Sequence, residues 1–167
     1  MEHSFQVATI AHSLAEMHNQ NEAEKVDVGK IVILSLYHDA SEVMTGDMPT
    51  PIKYHNPKIR DAFKEIETLS SENLLGTLPK ALQANFREVM LPAEELSTEE
   101  SFVKAADKIS AYLKCVEERR GGNQEFLHAE RTIYEDIKKS SLPVVSEWMQ
   151  TFAAAFELSL DEISQTD

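Results

Sequence analysis

An adjacent histidine and aspartate, His38 and Asp39, follow the most apolar stretch of the chain, which runs from Ile31 to Leu36. This arrangement places an imidazole and a carboxylate at the end of a buried helix. Because neighbouring side chains on a helix diverge by about 100°, both can serve one ion only if it lies near the helix end, between them. The pair is therefore a candidate metal site. The alternative is a histidine that caps carbonyl groups at a helix C-terminus.

A second carboxylate, Asp107, lies in the middle of another segment with helical spacing. It points to nearly the opposite side from the main apolar stripe and lies next to Val103. If that side is solvated, Asp107 is a surface carboxylate that pairs with Lys104 or Lys114. If the helix is packed on both sides, the carboxylate needs a strong partner, which a metal would supply. The main apolar stripe consists of Phe102, Ala106, Ile109, Leu113 and Val116.

The elements that must position these residues are helices. Only 5 glycines and 6 prolines interrupt the 167 residues, and the segments between them have helical spacing, which predicts an all-α fold. Asn56, the Ser97 capping box and Asn123 are predicted helix starts, and the segment 45–51 is predicted to be a structured loop. The predicted helices cover about 2–19, 28–39, 57–76, 80–90, 98–120, 123–139 and 143–157, with a short turn at 161–163.

Two of these helices carry specific packing predictions. The helix from Val28 to Asp39 is apolar nearly all round, which predicts that it passes through the middle of the domain; the alternative is a buried strand. The helix that begins at Pro57 is predicted to turn four side chains inward. These are Ile59, Phe63, Ile66 and Leu69.

Bulk composition excludes several classes of protein. With 42% hydrophobic and 27% charged residues, the chain is predicted to form one folded domain over residues 1–167. The net charge of −13 disfavours nucleic-acid polymers and anionic membranes as partners, although a small anion can bind with the help of a metal. Cys115 is the only cysteine, which excludes an intrachain disulfide. With no apparent signal peptide or membrane span, the predicted location is the cytoplasm.

The candidate residues together match a known pattern. Glu2-His3-Ser4, Tyr37-His38-Asp39-Ala40-Ser41-Glu42 and Lys104-Ala105-Ala106-Asp107 resemble the H…HD…D signature of the HD-domain phosphohydrolase superfamily. On position alone, His3 would be a surface residue. The strings from His38 through Thr45-Gly46-Asp47 to Lys53-Tyr54, from Ala111 to Cys115 and from Leu158 to Gln165 resemble the bacterial 5′-deoxynucleotidase branch. The resemblance covers essentially the whole chain and implies an HD-type helical bundle.

The resemblance implies a metal-dependent hydrolysis of deoxyribonucleoside 5′-monophosphates to deoxynucleoside and phosphate. His3, His38, Asp39 and Asp107 would hold one divalent cation, with cobalt or manganese favoured. The cation would polarise the phosphoryl oxygens and lower the pKa of bound water. Glu42 would orient or deprotonate that water, and its alternative is a solvated glutamate at a helix end.

The same resemblance assigns the substrate contacts. Asp39 and Asp107 are expected to contact the substrate as well as the metal. Asp47 would accept a hydrogen bond from the sugar 3′-hydroxyl and lie where a ribose 2′-hydroxyl would crowd, which implies a preference for deoxy substrates. Met48, Pro49 and Thr50 would complete the wall beside the sugar. The alternative is a Pro/Gly turn without a ligand.

Members of this branch carry an upstream Arg-Trp pair that helps to seat the phosphate, whereas this sequence begins Met1-Glu2-His3. The prediction is therefore an N-terminally short HD domain, and the family resemblance implies a homodimer. Two alternatives remain at this point. One is an HD phosphohydrolase that acts on another nucleotide, and the other is a metal-binding helical module that the short N-terminus leaves inactive.

Overall fold

The computed structural model describes residues 2–53, 55–91 and 96–164. Within these ranges the secondary structure is helical and contains no strand, which confirms the predicted all-α class. The helices in chain order are α1 (Glu2–Asn21), α2 (Val28–Tyr37), α3 (Glu42–Thr45), α4 (Thr50–Lys53), α5 (Pro57–Gly76), α6 (Lys80–Met90), α7 (Thr98–Arg120), α8 (Leu127–Ile137), α9 (Pro143–Thr151), a 3₁₀ helix (Ala153–Glu157) and α10 (Leu160–Ile163). None of the described helices is both long enough and apolar enough to cross a bilayer.

Capping side chains define several helix starts. Asp27 accepts a hydrogen bond from the Lys30 backbone N–H at the start of α2. Asn56 does the same for Ile59 at the start of α5, as predicted. Ser97 and Glu100 form both halves of a capping box before α7, which confirms that prediction too. These bonds satisfy backbone donors that have no partner within the helix.

The core lies where α1 and α7 pack side by side, with α2 and α9 against them. The predicted stripe of α7 is confirmed, because all five of its side chains are at most 1% exposed. On α1, Val7, Ala11 and Leu14 are fully buried and face the same cluster. Trp148 of α9 closes it and donates from its indole N–H to Ser13 Oγ at 2.7 Å. This packing holds α1 and α7 in a fixed register.

The prediction that α2, which is apolar nearly all round, passes through the middle of the domain is wrong. Only Ile31 and Ser35 of this helix are buried, while Ile33 is 46% and Leu36 is 44% exposed. α2 packs on α1 and α7 and also contacts α6, where the rings of Tyr37 and Phe86 meet edge to face, but Ile33 and Leu36 lie on the surface. The apolar sequence of α2 predicts a buried segment, but it does not show how many faces of the helix have packing partners.

The predicted inward face of α5 is wrong in its second half. Phe63 is buried and Ile59 is partly buried, but Ile66 is 50% and Leu69 is 61% exposed. Beyond Phe63 the buried face is rotated by roughly one residue, about 100°. It carries Ser70 and Ser71, whose small side chains allow close packing, and the Ser70 hydroxyl donates to the Ile66 carbonyl at 2.8 Å.

Three predicted boundaries also differ. Asn123 does not cap α8, which begins four residues later; its side chain accepts from the Glu125 N–H and donates to Glu118. The predicted helix over 143–157 ends at Thr151 and continues as the 3₁₀ helix. The predicted loop over 45–51 contains the start of α4. Gly46 ends α3 with φ +67°, a conformation that glycine adopts readily.

Candidate metal centre

Three helices bring the four predicted metal ligands together. The first turn of α1 supplies His3, the end of α2 supplies His38 and Asp39, and the middle of α7 supplies Asp107. His3 Nε2 lies 3.1 Å from Asp107 Oδ1 and 3.5 Å from Asp39 Oδ2. His38 Nε2 lies 3.0 Å from Asp39 Oδ2 and 3.9 Å from Asp107 Oδ1. Four donor atoms from three distant parts of the chain therefore form one cluster, in which Asp107 contacts the two histidines.

These separations suit donors around a single cation. Ligands bound to a first-row divalent metal at about 2.0–2.2 Å lie roughly 3 Å apart when adjacent. The donor atoms of His3, His38 and Asp39 all lie within 4.8 Å of one another. Two imidazoles and two carboxylates form a mixed set that a borderline transition metal accepts. The residues present therefore fit a divalent metal.

A buried nitrogen atom supports the same conclusion. His38 Nε2 is buried and has no hydrogen-bond partner of suitable geometry among the described residues, although Asp39 Oδ2 lies only 3.0 Å away. Its other ring nitrogen, Nδ1, lies 2.7 Å from the Ser35 carbonyl, which can only accept. Nδ1 therefore carries a proton, and Nε2 can present a lone pair to a cation between the helices.

The charges of the cluster reinforce one another. The hydrogen bond to Asp107 is the main cause of the raised pKa of His3, and burial opposes it. Burial also opposes the charged form of His38, but the Asp39 carboxylate outweighs this effect and raises the pKa of His38. Burial would raise the pKa of Asp39, yet the adjacent imidazoles hold that pKa below its usual value. The carboxylates of the site thus stabilise positive charge placed between them, whether on an imidazole or on a metal ion.

The alternative for Asp107, a surface pair with a neighbouring lysine, is not what the structure shows. The Asp107 side chain is 46% exposed, but its close contacts are with His3 and His38. Lys114 pairs with glutamates at 117 and 118 instead. In the described part of the chain, Lys104 forms no ion pair with Asp107. The carboxylate is therefore directed into the cluster.

A cavity of about 670 Å³ opens beside the cluster. Its lining includes His38, Asp39 and Asp107, together with Glu42 just after α2. Burial, followed by the carboxylates of Asp39 and Asp47, raises the pKa of Glu42. The volume lies within the range of about 300–1,000 Å³ that is typical of small-molecule sites. A small substrate can therefore reach the cluster and Glu42 together.

Comparison with known proteins places the chain in a family. The model of the YfbR-like 5′-deoxynucleotidases matches residues 1–156. The chain belongs to this family. A 5′-deoxynucleotidase of Vibrio vulnificus (strain YJ016) is 43% identical over 163 residues, which cover 98% of this chain and 84% of the relative. A 5′-deoxynucleotidase of Yersinia pestis (strain Pestoides F) is 45% identical over 163 residues, covering 98% and 83%.

These matches confirm the predicted family and its enzyme class, the 5′-deoxynucleotidases, which hydrolyse phosphomonoesters. A solved HD-domain phosphohydrolase of Listeria innocua superposes with a TM-score of 0.82, at 21% identity, over 98% of this chain and 79% of its own. At that identity the likeness concerns the fold alone. It confirms the HD-type helical architecture.

Three of the predicted sugar-binding residues, Asp47, Met48 and Pro49, are not among the described residues that line the cavity. Asp47 is exposed and acts electrostatically on Glu42. Met48 is partly buried and Pro49 is exposed. The backbone of Thr50 begins α4, while its side chain lies outside what the structure describes. The substrate contacts of these four residues therefore stay predictions.

Some residues at the site were not expected from the sequence. Ser110 and Gln6 lie directly behind His3, and the Ser35 carbonyl lies behind His38. Ser110 follows Asp107 by three residues, as Gln6 follows His3, so each lies on the same face of its helix as a ligand. That spacing is the sequence signal that would have identified both side chains.

Proposed function

We propose that this chain hydrolyses deoxyribonucleoside 5′-monophosphates to deoxynucleosides and phosphate, with a divalent cation held by His3, His38, Asp39 and Asp107. The convergence of these four side chains from three helices is the observation that carries the proposal. HD-domain phosphohydrolases are metal-dependent. We propose a single ion, with cobalt or manganese favoured by the family resemblance; a donor set of imidazoles and carboxylates would accept either metal.

When bound, the cation would polarise the phosphoryl oxygens and lower the pKa of water in its shell. Glu42 is the general base in this proposal. It lies in the lining of the cavity, and its raised pKa makes the carboxylate a better proton acceptor near neutral pH. It would orient the attacking water and take its proton as the phosphorus–oxygen bond to the sugar breaks. The departing 5′-oxygen would take up a proton from solvent to give the deoxynucleoside.

Cationic side chains on two walls of the cavity favour an anionic substrate. Lys64 of α5 and Lys104 of α7 both line the cavity, and neither forms an ion pair with a carboxylate in the described part of the chain. Lys104 precedes Asp107 by three residues and therefore lies on the same face of α7. Although the chain has a net charge of −13, these two lysines place cationic groups in the cavity that can attract phosphate oxygens.

The loop between α3 and α4 would contact the sugar and distinguish deoxyribose from ribose. Asp47 lies close enough to Glu42 to affect its pKa, so a substrate held beside Glu42 would bring its sugar toward this loop. In the proposal Asp47 accepts from the 3′-hydroxyl and disfavours a 2′-hydroxyl, while Met48, Pro49 and Thr50 complete the wall. Asp39 and Asp107 would contact the phosphate of the substrate beside the cation.

We further propose that residues 1–167 act as one HD domain, as a homodimer and in the cytoplasm. The family membership supports the dimer, and light scattering after size-exclusion chromatography would test it. A monomer at enzymatically active concentrations would remove that part of the proposal.

The first experiment is phosphate release from paired ribo- and deoxyribonucleoside 5′-monophosphates by the metal-stripped protein, with and without added cobalt or manganese. We expect release that depends on metal and is confined to the deoxy substrates. Release from ribo and deoxy substrates alike would remove the assigned sugar selectivity. No release with any metal, from protein shown to be folded by circular dichroism, would refute the proposed activity.

A matched pair of substitutions tests the base. Glu42→Gln keeps the size of the side chain but removes the proton acceptor, so turnover should fall by about 10²–10⁴-fold while the metal content stays unchanged. Glu65→Gln makes the same chemical change at an exposed position of α5 and should leave both quantities unchanged. Wild-type turnover in the Glu42 variant would exclude this residue as the base.

A further inference from the structure

The side of His3 that faces away from the metal cluster contacts two polar side chains. His3 Nδ1 lies 3.2 Å from Ser110 Oγ, and Ser110 Oγ lies 2.7 Å from Gln6 Oε1. Ser110 is only 1% exposed. The contacts join the first two turns of α1 to the middle of α7, between residues more than 100 positions apart. They form a short polar chain, Gln6–Ser110–His3, at the edge of the core.

The donor and the acceptor in each of these hydrogen bonds follow from the number of hydrogens available. A serine hydroxyl has one hydrogen to donate and two lone pairs that accept. Because Gln6 Oε1 can only accept, the Ser110 hydrogen is donated to Gln6. The Ser110 oxygen then accepts from His3 Nδ1–H. In the absence of metal, Nε2 also carries a hydrogen, which it donates to Asp107 at 3.1 Å. With Nδ1 bonded to Ser110, the Nε2 hydrogen is the one that a cation would displace, so the lone pair of Nε2 would face the metal.

We infer that Ser110, oriented by Gln6, is a positioning residue that holds His3 in the Nδ1–H form and aims Nε2 at the metal. The inference rests on the metal site proposed above. Outer hydrogen bonds of this kind fix the orientation and tautomer of ligand histidines, and their removal lowers metal affinity or activity by about 10–100-fold.

The two ligand histidines differ in how they are supported. His38 donates from Nδ1 to the backbone carbonyl of Ser35, and a substitution at position 35 leaves that carbonyl in place. His3 lies in the first turn of α1 with a side chain that is 45% exposed, and its support comes entirely from side chains. The imidazole of His3 is therefore the ligand whose orientation depends on Ser110.

Four substitutions test this inference by metal affinity, measured through the absorbance of bound cobalt and through competition with a chromogenic chelator. Ser110→Ala should weaken cobalt binding by about 10–100-fold. Gln6→Ala should also weaken it, because the Ser110 hydroxyl can then turn its hydrogen toward His3 Nδ1. Gln6→Glu keeps an acceptor beside Ser110 and should retain wild-type affinity. Ser70→Ala removes a buried hydroxyl that bonds only within α5, and should have no effect.

A second readout follows the histidine directly. In the zinc-loaded protein, ¹⁵N-labelled histidine should show a His3 Nδ1 proton that exchanges slowly with water, because it is bonded to a buried oxygen. Ser110→Ala should accelerate that exchange, whereas the His38 Nδ1 proton should remain protected in every variant. A merely structural effect on packing would not separate the two imidazoles in this way.

The inference is overturned if Ser110→Ala binds cobalt as tightly as Ser70→Ala, or if Gln6→Glu is as weak as Ser110→Ala. Either result would leave the proposed metal site intact, since the wild-type protein would still bind cobalt. A wild-type protein that takes up neither cobalt nor zinc would instead refute the metal site itself, and this inference with it.

Discussion

A bound cation should stabilise the fold, because its four ligands come from three separate helices. His3 lies on α1, His38 and Asp39 follow α2, and Asp107 lies on α7. These helices also form the core of the chain. A metal that binds all of them binds the folded state far better than the unfolded chain, in which the ligands are far apart. Addition of cobalt to the metal-stripped protein should therefore raise the midpoint of thermal unfolding.

The expected size of this shift can be calculated. At a free metal concentration 100 times the dissociation constant, selective binding to the folded state contributes about 2.7 kcal/mol. For a domain of this length each kcal/mol raises Tm by about 2–4 °C, so the shift should be roughly 5–11 °C. If His38→Ala weakens binding 100-fold or more, the same concentration contributes at most about 0.4 kcal/mol. The shift should then be no more than about 2 °C.

The assay is differential scanning fluorimetry or calorimetry of each variant, with and without cobalt, followed by reversal with a chelator. His12→Ala is the matched control, because His12 is also on α1 but its side chain is 55% exposed and contacts Glu16 at 3.7 Å. It should retain the wild-type shift. Comparing the shift within each variant separates metal binding from any change in intrinsic stability. A wild-type shift in His38→Ala would show that the cation binds elsewhere and refute the assignment.

Three further predictions concern other parts of the molecule. Asp47→Ala should reduce the ratio of kcat/KM for deoxy over ribo substrates, and an unchanged ratio would exclude Asp47 from sugar selection. Leu14→Ala should lower the free energy of unfolding in urea by about 2–5 kcal/mol, because Leu14 is 0% exposed; a loss below about 1 kcal/mol would contradict the described core. Cys115 is buried, and burial followed by Glu130 and Glu118 raises the pKa of its thiol, so less thiolate forms at any given pH than for a free cysteine. Its reaction with a disulfide reagent near pH 8 should be slow in the native protein and fast in guanidinium, and rapid native labelling would contradict this.

The helices and their starts were largely predictable because their signals are local. The bounds of α6 and the Ser97 capping box depend on residues within a few positions of one another. The capping prediction at Asn123 was wrong because its side chain donates a hydrogen bond to Glu118. The geometry of the turn after α7, which the local sequence does not reveal, brings these two side chains together. The elements packed against α5 determine which of its faces is buried. Hydrophobicity alone predicted burial of Ile66, whereas the packing buries the small side chain of Ser70.

The site itself was predictable from the residues only in part. The pair His38-Asp39 gave a local signal, because it follows an apolar helix. His3 gave none, since a histidine near a chain start is ordinarily solvated, and its side chain is indeed 45% exposed. Its contact with Asp107 spans 104 positions and exists only because α1 and α7 pack in one register. The family pattern supplied that long-range relationship, and the helix packing explains it.

The face of α7 on which a residue lies determines whether its substitution should change the stability of the fold or the metal site. The face that carries Phe102 and Ile109 is fully buried in the core, so changes there should act mainly on stability. The face that carries Asp107 and Ser110 meets α1 only at its first turns, at the metal cluster. Successive residues rotate by about 100°, so a shift of a single position along this helix moves a side chain from one face toward the other. Because one rigid helix carries both faces, its packing in the core fixes the position of Asp107 relative to His3, and the geometry of the site follows from the register of the core.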